Sequence, residues 1–200
     1  MTKGTIFIEG GGDSKELHIR CREGFRKLLE QCGFVGRMPK LVACGGRSAA
    51  YGDFVCAHKK ANPGSFIALL VDSEDRVADI EAPWTHLFNR DRWKRPQDTK
   101  DEQVLLMTTC METWIVSDRE TLRDHYGNQL QESALPALVD LESRSRDAVQ
   151  DALVHATRDC SNAYRKGKRS FAILGKLTPA TLATHLPSFD RAKKLLYENL

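Results

Sequence analysis

Two short acidic segments carry the residue types that metal chemistry needs. The first is Glu9, which follows the apolar run Thr5–Ile8 and precedes three glycines. The second is the segment 72–75, Asp-Ser-Glu-Asp, which follows the most apolar run of the chain, Phe66–Val71. Clustered carboxylates repel one another and are costly to bury unpaired, and their hard oxygens favour Mg²⁺, Mn²⁺ or Ca²⁺. The pattern therefore predicts a divalent-cation site.

The predicted elements bring these segments to one edge of a sheet. Four apolar runs predict strands, which are Thr5–Ile8, Lys40–Cys44, Phe66–Val71 and Val104–Met107. Apolar strands that alternate with helices are typical of a mostly parallel α/β sheet with helices on both faces. The first and third strands are expected to be neighbours about 5 Å apart, which brings Glu9 and Asp72 together. Asp72 and Glu74, if extended, would lie about 6–7 Å apart on one side.

Helical spacing of apolar residues predicts the remaining elements. The predicted helices span, in order, 14–32, 48–60, 84–90, 111–126 with a break near 117–118, a stretch from about 132 to 156, and a closing segment after Pro187. Residues 165–169 are predicted as a basic loop. We expect a core domain over 1–130 and a helical C-terminal extension over 131–200 that packs on it.

Composition and charge are those of a globular chain. Of the 200 residues, 41% are hydrophobic and 28% are charged, and no apolar stretch could span a membrane. The cysteines form no C-x-x-C pair, which disfavours a zinc ribbon and is typical of a reducing compartment, so a cytoplasmic location is expected. Residues 1–71 and 151–200 each carry +5, and residues 72–150 carry −7. Such a chain could cradle a polyanion around bound cations, although solvated surface charge explains the partition equally well.

Other catalytic motifs are missing from the sequence. The glycines 10–12 fit neither G-x-x-x-x-G-K-[ST] nor G-x-G-x-x-G, the histidines lack H-E-x-x-H spacing, and Ser48 is not in G-x-S-x-G. These patterns disfavour common nucleotide-binding folds, zinc hydrolases and α/β-hydrolases. The tryptophans at 84, 93 and 114 could stack on bases, but core packing explains them as well.

The acidic segments resemble a known family. Glu9-Gly10-x-x-Asp13 and Asp72-x-Glu74 resemble the Toprim domain of topoisomerases, bacterial primases and overcoming-lysogenization-defect (OLD) nucleases. The usual second signature is Asp-x-Asp, so Glu74 is a departure. The stretches 110–118 (CMETWIVSD) and 167–174 (GKRSFAIL) resemble more specifically an uncharacterised bacterial family with a Toprim-like core. The resemblance spans most of the chain.

This resemblance implies a Mg²⁺- or Mn²⁺-dependent nuclease that cuts DNA or RNA. It assigns Glu9 as a metal ligand or general acid–base, and Asp72 and Glu74 as metal ligands. Asp13 matches a second ligand position of OLD-type enzymes, and Glu112 could complete a second metal site. Two ions about 4 Å apart would clamp the attacking and leaving oxygens of a phosphodiester.

Ordinary structural roles compete with several of these assignments. Either Asp13 or Ser14 could cap the first helix, and Asp13 would have Glu16 as its capping-box partner. Glu74 and Asp75 could be solvated loop acids, and Glu112 could be an acid on a helix surface.

The basic loop supplies cations that phosphoryl transfer calls for. Lys168, Arg169 and Lys176 are candidates to stabilise developing charge at the scissile phosphate. Arg165, Lys166, Lys168 and Arg169 are candidates to contact nucleic acid. The loop could equally be a solvated turn.

The small size and the lack of an ATPase motif suggest that the protein acts with a partner. The resemblance implies an ABC-type ATPase partner and a role in defence against phage or plasmids, and a homodimer is also compatible. A different hypothesis is a non-catalytic regulatory or interaction module. In that case the acidic cluster holds one structural cation or contacts a basic patch on a partner protein.

Overall fold

The computed structural model describes residues 4–200, which form an α/β fold around a four-stranded parallel sheet. The strands are β1 (Gly4–Ile8), β2 (Lys40–Ala43), β3 (Phe66–Asp72) and β4 (Val104–Met107). Their order across the sheet is β2-β1-β3-β4, and every neighbouring pair is parallel. The predicted fold class and the adjacency of β1 and β3 are therefore confirmed.

Helices fill the connections between the strands and the C-terminal third. They are α1 (Lys15–Leu29), α2 (Arg47–Lys59), α3 (Pro83–Asp91), α4 (Met111–Ser117), α5 (Arg119–Tyr126), α6 (Arg146–Thr157), α7 (Lys168–Leu174), α8 (Pro179–His185) and α9 (Pro187–Asn199). The predicted break after Ser117 is confirmed, because Asp118 ends α4 and caps α5.

Two sequence predictions about helices are wrong in part. The stretch 132–145 holds only short 3₁₀ turns, Glu132–Ala134 and Leu141–Ser143, before α6 begins. Pro136 lacks an N–H donor and Asp140 has a left-handed backbone, so a continuous helix cannot form there. Lys168 and Arg169, predicted in a loop, form the first turn of α7 instead.

Alternate residues of the strands face two separate apolar clusters. Ile6, Ile8, Leu70 and other strand residues pack with α1, α4 and the C-terminal helices on one face of the sheet. Phe7, Leu69 and their neighbours pack with α2 and α3 on the other face. This alternation is the direct result of the two-residue period of a strand.

The C-terminal helices share their core with the sheet. The helices α1 and α7 cross so closely that a Cβ on Gly24 would lie 2.6 Å from the carbonyl oxygen of Phe171, so only glycine fits there. Arg191 of α9 donates to the carbonyl oxygen of Val104 at the edge of β4. Among the described residues, no helix combines the length and the apolar character needed to cross a membrane.

Candidate functional site

Three carboxylates meet at the carboxyl edge of the sheet. The N–H of Glu9 donates to the Leu70 carbonyl oxygen at 2.9 Å, so the chain stays against β3 after β1 ends. Oε2 of Glu9 then accepts the N–H of Asp72 at 3.1 Å. Ligand oxygens of Glu9, Asp72 and Glu74 all lie within 4.8 Å of one another. We call this group the carboxylate cluster, and it has the proximity that the strand order predicted.

Asp72 is the most deeply buried member of the carboxylate cluster, with 6% of the residue exposed. Its Oδ1 accepts the N–H of Met111 at 2.9 Å, at the start of α4, and its Oδ2 accepts no hydrogen bond from residues 4–200. Burial, and then repulsion from Glu9 and Glu112, raises the pKa of Asp72 to about 8. A bound cation would favour the ionised form of this carboxyl.

Glu74 reaches the carboxylate cluster from a left-handed backbone (φ 68°) and not from the extended conformation assumed from its spacing. Its N–H donates to the carbonyl oxygen of Thr109 at 2.8 Å, which fixes the turn against the end of β4. Oε2 of Glu74 accepts a hydrogen bond from Arg146 of α6 and lies 3.7 Å from Nη2 of Arg90 of α3. Two arginines therefore partner this acid.

Arg47, the first residue of α2, contacts the opposite side of the carboxylate cluster. Its Nη1 donates to Oε2 of Glu9 at 3.3 Å and also to the carbonyl oxygen of Asp72. Its Nε and Nη2 donate to the two carboxylate oxygens of Asp91 at 3.1 and 2.6 Å. Burial raises the pKa of Asp91, but the hydrogen bonds and charges of its arginine partners outweigh burial and leave that pKa lowered. Arg47 is thus a fixed, paired cation next to Glu9.

Glu112 is fully buried and is not a surface acid. The hydroxyl of Tyr164 donates to its Oε1 at 2.5 Å, and Nε2 of Gln150 donates to its Oε2 at 3.1 Å. Burial, and then the charge of Glu112, raises the pKa of Tyr164, so the phenol stays protonated as a donor. Glu112 lies outside the group within 4.8 Å, although it borders the same cavity.

A cavity of about 340 Å³ opens beside the carboxylate cluster. Apolar side chains from α1, β4, α4 and α7 form part of its wall. Its polar side chains are Glu9, Asp72, Glu112, Lys166 and Ser170. The cavity therefore combines acidic side chains, one lysine and apolar surface.

The glycine loop 10–12 forms another wall of this cavity. Its three residues have φ angles of 144°, 95° and 50°, which favour glycine. A Cβ on Gly11 would lie 2.7 Å from Cδ2 of His18, and one on Gly45 would lie 2.5 Å from the carbonyl oxygen of Gly12. The glycines thus let three backbone segments pass close to each other at the end of β1.

Asp13 does not join the carboxylate cluster. It is exposed in the turn before α1, and it is not one of the acids within 4.8 Å. The cap of α1 is Ser14, whose Oγ accepts the N–H of Leu17 at 3.1 Å. The alternative that Asp13 caps this helix is therefore wrong, because the helix begins one residue later.

The basic residues predicted to contact nucleic acid or the scissile phosphate lie in different surroundings. Lys166 borders the cavity, and its charge opposes the rise in the pKa of Asp72. Lys168 pairs at 3.6 Å with a glutamate of α1, and Arg169 donates at 2.5 Å to a backbone carbonyl of the preceding loop. Arg165 is exposed.

Lys176 is separated from these residues by α7. It is exposed, its Nζ lies 3.1 Å from Nδ1 of His125, and it does not border the cavity. Burial, and then the charge of Lys176, lowers the pKa of His125. The structure thus brings one of the basic candidates, Lys166, to the cavity.

Sequence reasoning missed Arg47, Arg146 and Tyr164. Arg47 could have been recognised from the sequence as a neighbour of Glu9. It follows two glycines at the carboxyl end of β2, and β2 lies next to β1. Arg146 and Tyr164 lie 72 and 52 residues from the acids that they contact, and no local pattern links these pairs.

Comparisons with known proteins give a family and no activity. No curated protein and no solved structure matches the chain. One family matches residues 8–193, which is nearly the whole chain and includes the carboxylate cluster, Arg47, Glu112 and Lys166. The chain therefore belongs to the family described as "Domain of unknown function (DUF4276)".

Proposed function

We propose that the protein is a metal-dependent nuclease of Toprim type, which hydrolyses phosphodiesters of DNA or RNA with Mg²⁺ or Mn²⁺. The observation that supports this most is how the carboxylate cluster uses its oxygens. Glu9 and Glu74 accept hydrogen bonds through Oε2, and Asp72 accepts through Oδ1. The second oxygen of each has no donor among residues 4–200. Three free carboxylate oxygens at one sheet edge suit a hard divalent cation.

Each residue of the site has a separate role in this proposal. Glu9, Asp72 and Glu74 would hold the cation through their free oxygens, while Arg47 and Arg146 contact the other oxygen of Glu9 and of Glu74. A bound ion would polarise the scissile phosphate and lower the pKa of the attacking water. Asp72 would lose its proton when the cation binds, since its pKa without a cation is about 8.

Lys166 would stabilise negative charge that develops on the phosphate, because it borders the same cavity as the carboxylate cluster. Glu112 is a poor ligand in this arrangement, because both of its oxygens already accept hydrogen bonds. A second ion would require Glu112 to exchange one of these bonds. We therefore propose one ion at the carboxylate cluster, and a second ion rests on the Toprim resemblance alone.

Cleavage assays test this proposal. Purified protein is incubated with supercoiled plasmid and with single-stranded RNA in Mg²⁺, Mn²⁺ or EDTA. Glu9→Gln and Asp72→Asn should each lower the rate at least 100-fold, because each removes a metal ligand. The matched control is Glu102→Gln, an exposed acid at the other end of the sheet, which should cleave at the wild-type rate. No metal-dependent cleavage of either substrate, or equal rates in all variants, would overturn the proposal.

A second candidate function is a non-catalytic, cation-binding regulatory module. The observation that favours it is the set of arginines around the carboxylate cluster: Arg47, Arg90 and Arg146 already neutralise Glu9 and Glu74. This candidate predicts that Mg²⁺ raises the melting temperature of the wild type, that Glu9→Gln loses this rise, and that no protein cleaves. Melting curves and cleavage assays on the same samples separate the two functions.

The biological setting is proposed from the Toprim and OLD resemblance. We propose that the protein works in the cytoplasm with an ABC-type ATPase, in defence against phage or plasmids. Co-purification from cells challenged with phage tests for such a partner. Light scattering on the purified chain tests for a homodimer.

A further inference from the structure

We infer that a groove beside α2 binds the backbone of a single-stranded nucleic acid and leads it toward the carboxylate cluster. The destination of the strand, and the choice of a strand over an acidic protein surface, rest on the proposed function, but the binding of a polyanion in the groove does not. The groove has a volume of about 610 Å³ and lies between α2 and the segment 94–98. We call it the α2 groove, and the lining residues that matter are Tyr51, His58, Lys59, Lys94, Arg95 and Gln97.

The α2 groove carries positive charge that the fold leaves unpaired. Residues 92–100 carry +3, within the stretch 72–150 that carries −7 overall. Lys59 and Lys94 border the groove, and neither has an acidic partner within 4.0 Å among the residues the structure describes. Asp98 is the acid that lines the groove. Lysines gathered without partners repel one another, and a bound polyanion would relieve that repulsion.

The walls of the α2 groove are held in place before anything binds. The hydroxyl of Tyr51 donates to the Lys94 carbonyl oxygen at 2.7 Å, and Nε2 of His58 lies 3.2 Å from the Gln97 carbonyl oxygen. Arg95 donates through Nε, at 2.8 Å, to the Thr99 carbonyl oxygen. A preformed groove binds a strand with little ordering cost on the protein side.

A continuous line of contacts joins the α2 groove to the carboxylate cluster. The ring of Tyr51 stacks on Trp93, with centroids 4.4 Å apart and planes 9° apart. The guanidinium of Arg47 lies over Trp93 at 4.8 Å and donates to Glu9. Since α2 has 13 residues, it is about 20 Å long. A strand along α2 would therefore run from the groove to the edge of the sheet where the carboxylates lie.

The α2 groove suits a nucleic-acid strand better than the first turn of α7 does. Lys168 and Arg169 of that turn are engaged with protein groups, whereas Lys59 and Lys94 have no acidic partner among residues 4–200. An acidic protein surface is the competing occupant. The strand is favoured because the line of contacts ends at carboxylates that are proposed to act on phosphodiesters.

Binding measured without metal tests this inference separately from cleavage. Fluorescein-labelled single-stranded DNA and RNA of 20 nucleotides are titrated with protein in EDTA, and anisotropy is followed over a range of salt. The double variant Lys59→Gln, Lys94→Gln should bind at least tenfold more weakly at ~0.1 M salt. Its slope of log affinity against log salt should be smaller by about 1.4, or about 0.7 for each lost phosphate contact.

The matched control is Lys27→Gln, Lys194→Gln, which makes the same charge change on helices across the sheet and should bind like the wild type. The melting temperatures of both variants establish that they are folded. The inference is overturned if the wild type binds neither strand, if both double variants lose affinity equally, or if polyglutamate displaces the strand at equal charge concentration. Groove-dependent binding without cleavage in any metal would overturn the nuclease proposal alone. Cleavage with unchanged affinity in the groove variant would overturn the groove alone.

Discussion

Asp72 and Asp118 are both buried aspartates, with 6% and 0% of the residue exposed, but their oxygens are used very differently. Asp118 lies between α4 and α5. Its Oδ1 accepts the N–H of Thr121 at 3.1 Å, and its Oδ2 accepts the hydroxyl of Thr121 and the N–H of Thr178, both at 2.8 Å. Among residues 4–200, the carboxylate of Asp72 accepts a single hydrogen bond, from the N–H of Met111. Burial alone therefore does not distinguish a structural carboxylate from a candidate metal ligand.

The difference between the two aspartates lies in what their hydrogen bonds connect. Asp118 caps α5 and connects it to the start of α8, so both of its carboxylate oxygens accept hydrogen bonds from protein donors. Asp72 borders a cavity with one oxygen left over. Glu112 is intermediate, because it borders the cavity but has both oxygens occupied. The free oxygen is what makes Asp72 a candidate ligand.

The largest expected effect is on the pH dependence of stability through Asp72. The pKa of Asp72 in the folded protein is raised to about 8, from about 3.9 in an unfolded chain. The protonated carboxyl therefore stabilises the fold below pH ~4, and this contribution is lost as the pH rises to ~8. Asp72→Asn cannot ionise, so it should match the wild type at pH ~4. At pH ~8.5 in EDTA it should be more stable by on the order of 5 kcal/mol.

Urea unfolding of both proteins across this pH range measures the difference. Glu102→Gln is the control, and its stability should follow the wild type at every pH. Parallel profiles for Asp72→Asn and the wild type would show that Asp72 is ionised in the fold without a cation, which contradicts the comparison with Asp118.

A smaller change in stability is expected when Asp118, the structural aspartate, is removed. Asp118→Ala deletes a helix cap and three hydrogen bonds, so the free energy of unfolding should fall by about 3 kcal/mol. The loss should be the same in EDTA and in Mg²⁺, because Asp118 is not part of the carboxylate cluster. Chemical denaturation in both buffers measures it. Asp124→Ala, an exposed aspartate of the same helix, should cost less than about 0.5 kcal/mol. A loss of stability that Mg²⁺ changes would assign Asp118 to the proposed metal site.

The smallest effect concerns the arginine that partners Glu74. Arg146 contacts Oε2 of Glu74, so its charge competes with a cation bound by the same carboxylate. Arg146→Gln should therefore tighten Mg²⁺ binding about threefold to tenfold at pH 8.5, where Asp72 has lost most of its proton. Titration calorimetry measures the affinity. Arg123→Gln removes an arginine paired with the surface acid Glu132 and should leave the affinity unchanged. Weaker binding in Arg146→Gln would mean that Arg146 positions Glu74 for the ion.

Local patterns predicted much of the fold. Val104–Met107 is a strand within the same limits as predicted, because a run of apolar residues between polar ones suits a buried parallel strand. The break between α4 and α5 was also predicted. The stretch 132–145 was not, because its apolar spacing suggested a helix that Pro136 and the left-handed Asp140 exclude. Periodicity reports which residues are buried, not whether the backbone between them is regular.

The carboxylate cluster was predictable in part, because local sequence patterns placed two of its acids at the ends of strands. Glu9 and Asp72 end neighbouring strands, so the order of the strands alone brings them together. Asp13 lies only four residues after Glu9, yet the glycine loop directs the chain away from the cluster. Positive φ angles at three successive glycines are a property of the folded loop, and motif spacing does not specify the direction in which such a loop leaves the sheet.

By itself, the sequence determined the parallel sheet, the acidic ends of β1 and β3 and the glycines that follow Glu9, because each of these depends on residues close together in the chain. The tertiary structure alone decided which carboxylate oxygens remain free. Arg47, Arg146 and Tyr164 reach their acids across 38, 72 and 52 residues. Those contacts depend on how α2, α6 and the loop before α7 pack against the sheet. Packing of that kind arises from the summed shape of many side chains, so no local pattern encodes it.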